Sequence, residues 1–282
     1  MNVVDAHHHL LDPTRRDYPW LAGDDMAPIR RRYDLAELRG HTGVVGVSRT
    51  VLVQTVPDVA ETEEFLAVAD ANRDLVAGVV GWVDLTDPAL PDTVARLRAG
   101  PGGDLLTGIR HHAQDEPDPA WLVRSDVAAG VAAVAEAGLA YDLLVLPGQL
   151  PAAISLARQV PDCRFVLDHA AKPPIATGGP EPWAGLIGGL AELPNVACKL
   201  SGLVTEAAPG YRAADIQPYA DVVLAAFGPD RVMFGSDWPV CELAAGYPDV
   251  LGLARALCAG LTEGETAAVF RGTATGWYRL PA

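Results

Sequence analysis

The feature that most constrains this chain is a repeated alternation of two kinds of segment. Short β-branched apolar runs recur at 3–5, 50–54, 76–83, 106–110, 139–144, 164–168, 196–200 and 231–234, separated by alanine- and leucine-rich stretches. Some runs are apolar without a break, such as Val51-Leu52-Val53 and Phe165-Val166-Leu167. A strand with one wet face alternates polar and apolar residues, whereas a continuous apolar run suits a parallel strand covered on both faces. Strand–helix alternation implies parallel strands joined by right-handed crossovers. Eight such units in 282 residues predict an α/β fold of the (β/α)8 TIM-barrel type, which typically needs about 250 residues. The alternative is an open doubly wound sheet. That fold usually carries a glycine-rich phosphate loop after its first strand, and here the position holds Asp5-Ala6-His7-His8-His9.

Local signals agree with the alternation. Asp58-Val-Ala-Glu61 and Thr262-Glu-Gly-Glu265 read as capping boxes that open helices. Gly138 stands where a helix stops before a strand. There is no low-complexity segment, short repeat or linker, so the chain reads as a single domain over 1–282. The glycine- and proline-rich stretch 173–182 reads as a loop, either a cover for a pocket or a plain surface connection.

Charge and composition exclude several partners. A formal net charge of -15 disfavours nucleic-acid backbones and anionic membranes. The basic run Arg30-Arg31-Arg32 reads as a solvated loop. No apolar stretch is long enough to span a bilayer, and the first residues lack the pattern of a signal peptide. Cys163, Cys198, Cys241 and Cys258 form no C-x-x-C pair, so reduced buried thiols in a cytoplasmic protein are expected. Assembly into a homo-oligomer is left open.

The chemistry is expected at the ends of strands one, six and eight. Strand side chains alternate, so His7 and His9 share one face and His8 takes the other. Two imidazoles on one strand end make half of a divalent-metal site. The sixth strand runs into Asp168-His169 and the eighth into Ser236-Asp237-Trp238. Both place a titratable group where a barrel strand meets its following loop, the catalytic end of the fold.

With these motifs in place, the chain resembles the amidohydrolase superfamily, in its sugar-lactonase-like branch of the L-fuconolactonase and L-rhamnonolactonase type. The matching segments include DAHHHLLDP at 5–13, GWVDL at 81–85, GIRHHAQDEPDPAWL at 108–122, LDHAAKP at 167–173, NVACKLSGLVTEA at 195–207 and FGSDWPV at 234–240. The resemblance spans nearly the whole chain. It implies that His7, His9, His169 and Asp237 hold a divalent metal, zinc first, or work without one. It also implies lactone hydrolysis, with Asp237 as general base and His169 beside it. No bridging lysine or glutamate is evident at the ends of the fourth and fifth strands, which argues against a two-metal site.

Further residues on the same rim are candidate substrate contacts: Arg110, Lys199, Gln54, Trp82, Asp84 and Trp238. For each, support of the barrel is an equal alternative. Of His111 and His112, at most one is expected to face the axis. The expected substrate is a small lactone of a sugar acid. The alternatives are a metal-dependent non-oxidative decarboxylase of the same superfamily and a non-catalytic binding protein.

Overall fold

The structure is a computed structural model that describes residues 2–281. Its strands are β1 (Val3–His8), β2 (Val47–Val53), β3 (Val76–Gly81), β4 (Leu106–His111), β5 (Ala140–Leu143), β6 (Arg164–Leu167), β7 (Val196–Leu200) and β8 (Val232–Phe234). They form one sheet in chain order, every neighbour parallel. A helix follows each strand: α1 (Leu35–Val45), α2 (Val59–Asp70), α3 (Leu90–Ala99), α4 (Ser125–Glu136), α5 (Leu150–Gln159), α6 (Trp183–Ala191), α7 (Ala213–Phe227) and α8 (Tyr247–Leu257). This is the expected (β/α)8 barrel. Every apolar run became a strand, with ends moved by a few residues; β2 begins at Val47 rather than at 50.

The ring closes between β8 and β1. Asp237 N–H donates to the His7 carbonyl at 2.8 Å, and His9 N–H donates to the Trp238 carbonyl at 2.7 Å. Closure therefore brings the segment that carries Asp237 alongside the two histidines of β1. A bulge in β1 decides what those histidines face. Asp5 pairs with Thr50 and His8 with Leu52, so β1 advances one residue more than β2 over this stretch. Below the bulge Val4 and Ala6 join the apolar cluster inside the barrel. Beyond it His7 and His9 turn inward, while His8 Nε2 bonds Thr50 Oγ1 at 3.0 Å.

The core has two parts. The larger fills the space between strands and helices. The smaller lies inside the barrel and combines strand residues such as Val51, Ala140, Val166 and Ala197 with Ala274, Tyr278 and Leu280 from the chain's end. That end comprises α9 (Glu263–Ala267), a wide π-type turn (Ala268–Gly272) and α10 (Thr273–Trp277). It stops the floor of the barrel, and the Tyr278 side chain enters from below.

Two local expectations hold. Thr262 and Glu265 form a reciprocal capping box, and Gly138 ends its helix at φ 73°. The Asp58–Glu61 box does not form. Asp58 caps Ala60 N–H at 2.8 Å, but the buried Glu61 carboxylate turns to the loop after β2. There it accepts from Thr55 N–H at 2.7 Å, Val56 N–H at 3.1 Å and the Thr55 hydroxyl. Those donors are buried and have greater need of an acceptor than a helix end exposed to water. The stretch 173–182 contains one short 3-10 turn, Ile175–Thr177, and contributes no residue to the cavity described below. The four cysteines are buried and unpaired, and no described helix is long and apolar enough to cross a membrane. Removing the Glu61 carboxylate will orphan three buried donors, so Glu61→Ala is expected to lower unfolding free energy by about 3 kcal/mol, read from urea denaturation.

Candidate active site

Side chains alternate along a strand, so the residue two places beyond an inward apolar one is also inward. This rule builds a charged layer directly above the apolar layer. Ala140 is followed by Asp142 on β5, Val166 by Asp168 after β6, and Ala197 by Lys199 on β7. Arg110 joins them from β4. All four side chains are buried.

The layer is stable because its charges are paired, since burying an isolated ion is very costly. Lys199 Nζ donates to Asp142 Oδ2 at 2.6 Å and lies 2.8 Å from Asp168 Oδ1. Arg110 Nη1 donates to Asp168 Oδ2 at 3.0 Å, and its Nη2 donates to Gln54 Oε1 at 3.0 Å and to the Gln54 carbonyl. Tyr278, rising from the floor, donates its hydroxyl to Asp142 Oδ2 at 2.7 Å. Burial alone would push the Asp168 carboxyl up, but Lys199, His7 and Arg110 hold it well below the usual range. Asp142 faces only one cation, and burial leaves its carboxyl raised.

Above this layer lie His7, His9, His169 and Asp237, brought together from strands one, six and eight. Asp237 Oδ1 is 3.6 Å from both His7 Nε2 and His9 Nε2 and 3.8 Å from His169 Nε2. His7 Nε2 and His9 Nε2 are 3.1 Å apart. Burial lowers all three imidazoles, His9 to about 3 and His169 to about 4, so they are neutral. Burial also raises the Asp237 carboxyl.

The backbone is strained where these groups project. His169 to Lys172 all have left-handed φ, between 49° and 57°, and Asp237 sits at 59°. Non-glycine residues there cost about 1–3 kcal/mol each and gather at functional sites. Two glycines make room. A Cβ on Gly202 would lie 2.7 Å from His169 Nδ1, and one on Gly235 would lie 2.8 Å from His7 Cβ.

The donor set fits a divalent metal. His7, His9 and Asp237 each offer a ligand atom within 4.8 Å of the others. Two imidazole nitrogens and a carboxylate are an ordinary zinc set, and the ligands must be unprotonated to bind. His9 Nδ1 bonds the Val53 carbonyl at 2.8 Å, which puts its proton there and leaves the Nε2 lone pair facing the site. His169 Nδ1 bonds Ser201 Oγ at 2.9 Å. His7 has two arrangements. With its proton on Nδ1, facing Asp168 Oδ1 at 3.4 Å, Nε2 is free to ligate. With Lys199 donating to Nδ1 at 3.1 Å, Nε2 carries the proton toward His9.

A cavity of about 340 Å³ opens over the site, and His9, His169, Asp237 and Arg110 line its inner end. The other expected contacts sit elsewhere. Lys199 is beneath the site, consumed by two carboxylates. Gln54 is fully buried and serves Arg110 and His112. Trp82 Nε1 donates to His111 Nδ1 at 3.1 Å outside the cavity. Asp84 is exposed and caps Thr86. Trp238 is buried against Tyr33 and donates to Glu242 at 2.8 Å. These five support the barrel rather than line the cavity. Of the adjacent histidines, His112 lines the cavity and His111 stacks on Trp121. Asp142, Asp168 and Tyr278 were not among the expected site residues. A lone aspartate two places after Ala140 in an apolar run is the signal that could have found Asp142. Lys199→Met is expected to destabilise the fold by about 3–5 kcal/mol, because it leaves Asp142 without a cation in the barrel interior; thermal and chemical melts measure it.

Comparison with known proteins agrees with this geometry. The Amidohydrolase family profile matches residues 4–280. L-fucono-1,5-lactonase of Burkholderia ambifaria is 39% identical over 282 aligned residues, covering 98% of this chain and 95% of that protein. Two crystal structures of a Burkholderia multivorans amidohydrolase, one with bound HEPES and one with bound zinc, superpose with TM-scores of 0.92 and 0.91. Each is 38% identical to this chain, with 100% of both chains covered. A barrel that gathers His7, His9, His169 and Asp237 at one end, and matches this profile almost throughout, belongs to the amidohydrolase family.

Proposed function

We propose that the protein hydrolyses a sugar-acid lactone, of the class of L-fucono-1,5-lactone, with Asp237 as general base. One arrangement carries this reading: the Asp237 carboxylate, among three neutral imidazoles, at the inner end of a cavity of about 340 Å³. The near end-to-end likeness to L-fucono-1,5-lactonases supports the substrate class. The decarboxylase alternative is not favoured, because the curated lactonase relatives match almost the whole chain.

The chain's own residues supply the steps. Asp237 takes a proton from water as the water oxygen attacks the ring carbonyl. The ring C–O bond then breaks, and Asp237 returns the proton to the leaving oxygen. His7, His9 and His169 stay neutral and orient the water. Arg110 lines the cavity, and its Nε has no partner among the described residues. Its positive charge stabilises negative charge developing on the carbonyl oxygen. His7, His9, His169 and Asp237 would hold a divalent ion, zinc first, which when bound polarises the carbonyl and lowers the pKa of water. Four buried, unpaired cysteines suit a reducing compartment and support a cytoplasmic location.

Asp237→Asn keeps the shape and removes the base, so kcat/KM for L-fucono-1,5-lactone should fall by about 100-fold or more, followed by acid release with a pH indicator. Near-full activity would remove Asp237 from the mechanism. For the metal, the protein is stripped with chelator and titrated with zinc in a calorimeter. Uptake of about one ion per chain is expected, weakened by His9→Ala. The rate before and after stripping decides the ion's part. A rate restored only by zinc makes the ion essential, and an unchanged rate leaves polarisation to Arg110 and the histidines.

A further inference from the structure

The cavity carries polar groups that the reaction above does not use. Lys172 and Glu206 both line it. Lys172 ends the left-handed turn after β6, at φ 53°. Glu206 lies in the loop after β7, and the two loops are tied by Ala176 N–H donating to the Glu206 carbonyl at 2.9 Å. Among the described residues, neither side chain has a hydrogen-bond or ion-pair partner. This contrasts with the charged layer below, where every cation is met by a carboxylate. The chain has only two lysines, Lys172 and Lys199, and both stand at this end of the barrel. Lys199 is spent within the layer, and Lys172 is free.

Two further residues that line the cavity each hold a buried polar atom without a partner: Trp20 Nε1, a donor, and Gln114 Oε1, an acceptor. A buried polar atom costs free energy unless something bonds it. The residues around the cavity thus carry donors (Lys172 Nζ and Trp20 Nε1) and acceptors (Glu206 and Gln114 Oε1). A hydroxyl both donates and accepts, so this mixture matches a polyhydroxylated ring better than a carboxylate or a bare hydrocarbon. Burial raises the Glu206 carboxyl, consistent with a group set back from bulk water.

We propose that Lys172 and Glu206 grip ring hydroxyls of the lactone, with Trp20 Nε1 and Gln114 Oε1 completing the contact, and that these residues set which sugar lactone is accepted. The proposal rests on the lactonase reading above. A site built to bond a substrate hydroxyl discriminates strongly against the analogue that lacks it.

The test compares L-fucono-1,5-lactone with δ-valerolactone, which has the ring ester and no hydroxyls. Lys172→Met and Glu206→Gln are each expected to lower kcat/KM for the sugar lactone about tenfold more than for δ-valerolactone. Trp20→Phe, which keeps a ring and loses the N–H, should shift the ratio in the same direction by less. Glu206→Gln and Trp20→Phe are close in shape to the native residues, so they report even where Lys172→Met fails to fold. Equal losses on both lactones, or no loss on either, overturn the proposal. Wild-type protein that opens neither lactone overturns the lactonase reading and the proposal with it.

Discussion

The site depends first on the Asp168 carboxylate inside the barrel. It lies within 3.0 Å of Arg110 Nη1 and 2.8 Å of Lys199 Nζ, and 3.4 Å from His7 Nδ1. Without it two cations would face each other in a medium where charge is poorly screened. With it, and with Asp142 on the far side of Lys199, the layer becomes a paired network of two cations and two anions. A partly paired network of this kind would be worse than an apolar core. This one is anchored from both ends. Gln54 holds Arg110 near the top, and Tyr278 holds Asp142 from the floor.

That network supports the layer of His7, His9, His169 and Asp237 without giving it a net charge to neutralise. The proton on His7 answers to Asp168 and Lys199 beneath it, and the proton on His9 answers to the Val53 carbonyl. The His9 Nε2 is therefore left for chemistry, and the His7 Nε2 is left for it when Nδ1 carries the proton toward Asp168. The charged layer also keeps Lys199 out of the cavity lining, its ammonium paired with two carboxylates within 3 Å.

Strain is concentrated where His169 and Asp237 project. The turn from His169 to Lys172 and the residue Asp237 all lie in the left-handed region. Asp237, His169 and Ala170 are held by tertiary contacts that a shorter peptide would lack. Asp237 N–H is fixed to the His7 carbonyl by barrel closure, and the His169 ring packs where only a glycine at 202 leaves space. Stability is given up locally so that four side chains from three strands converge, and the surrounding barrel carries the cost.

Much of this was legible in the sequence. Short β-branched runs marked all eight strands, and several were apolar without a break because a parallel strand buried on both faces has no polar side to show. His7 and His9 were expected on one face, because side chains alternate regardless of what surrounds them, and His169 and Asp237 were expected at strand ends. The sequence did not tell which face of β1 is inward, since the bulge after Asp5 resets it. It did not separate cavity-lining Arg110 from buried Lys199, or His112 from His111, because both members of each pair carry similar groups at similar strand positions. Glu61 had the spacing of a capping box and was drawn instead to buried donors that only the folded loop presents. Period and composition are local properties and survive in one dimension. Which polar group meets which depends on distances between residues far apart in the chain, and those exist only once the barrel has closed.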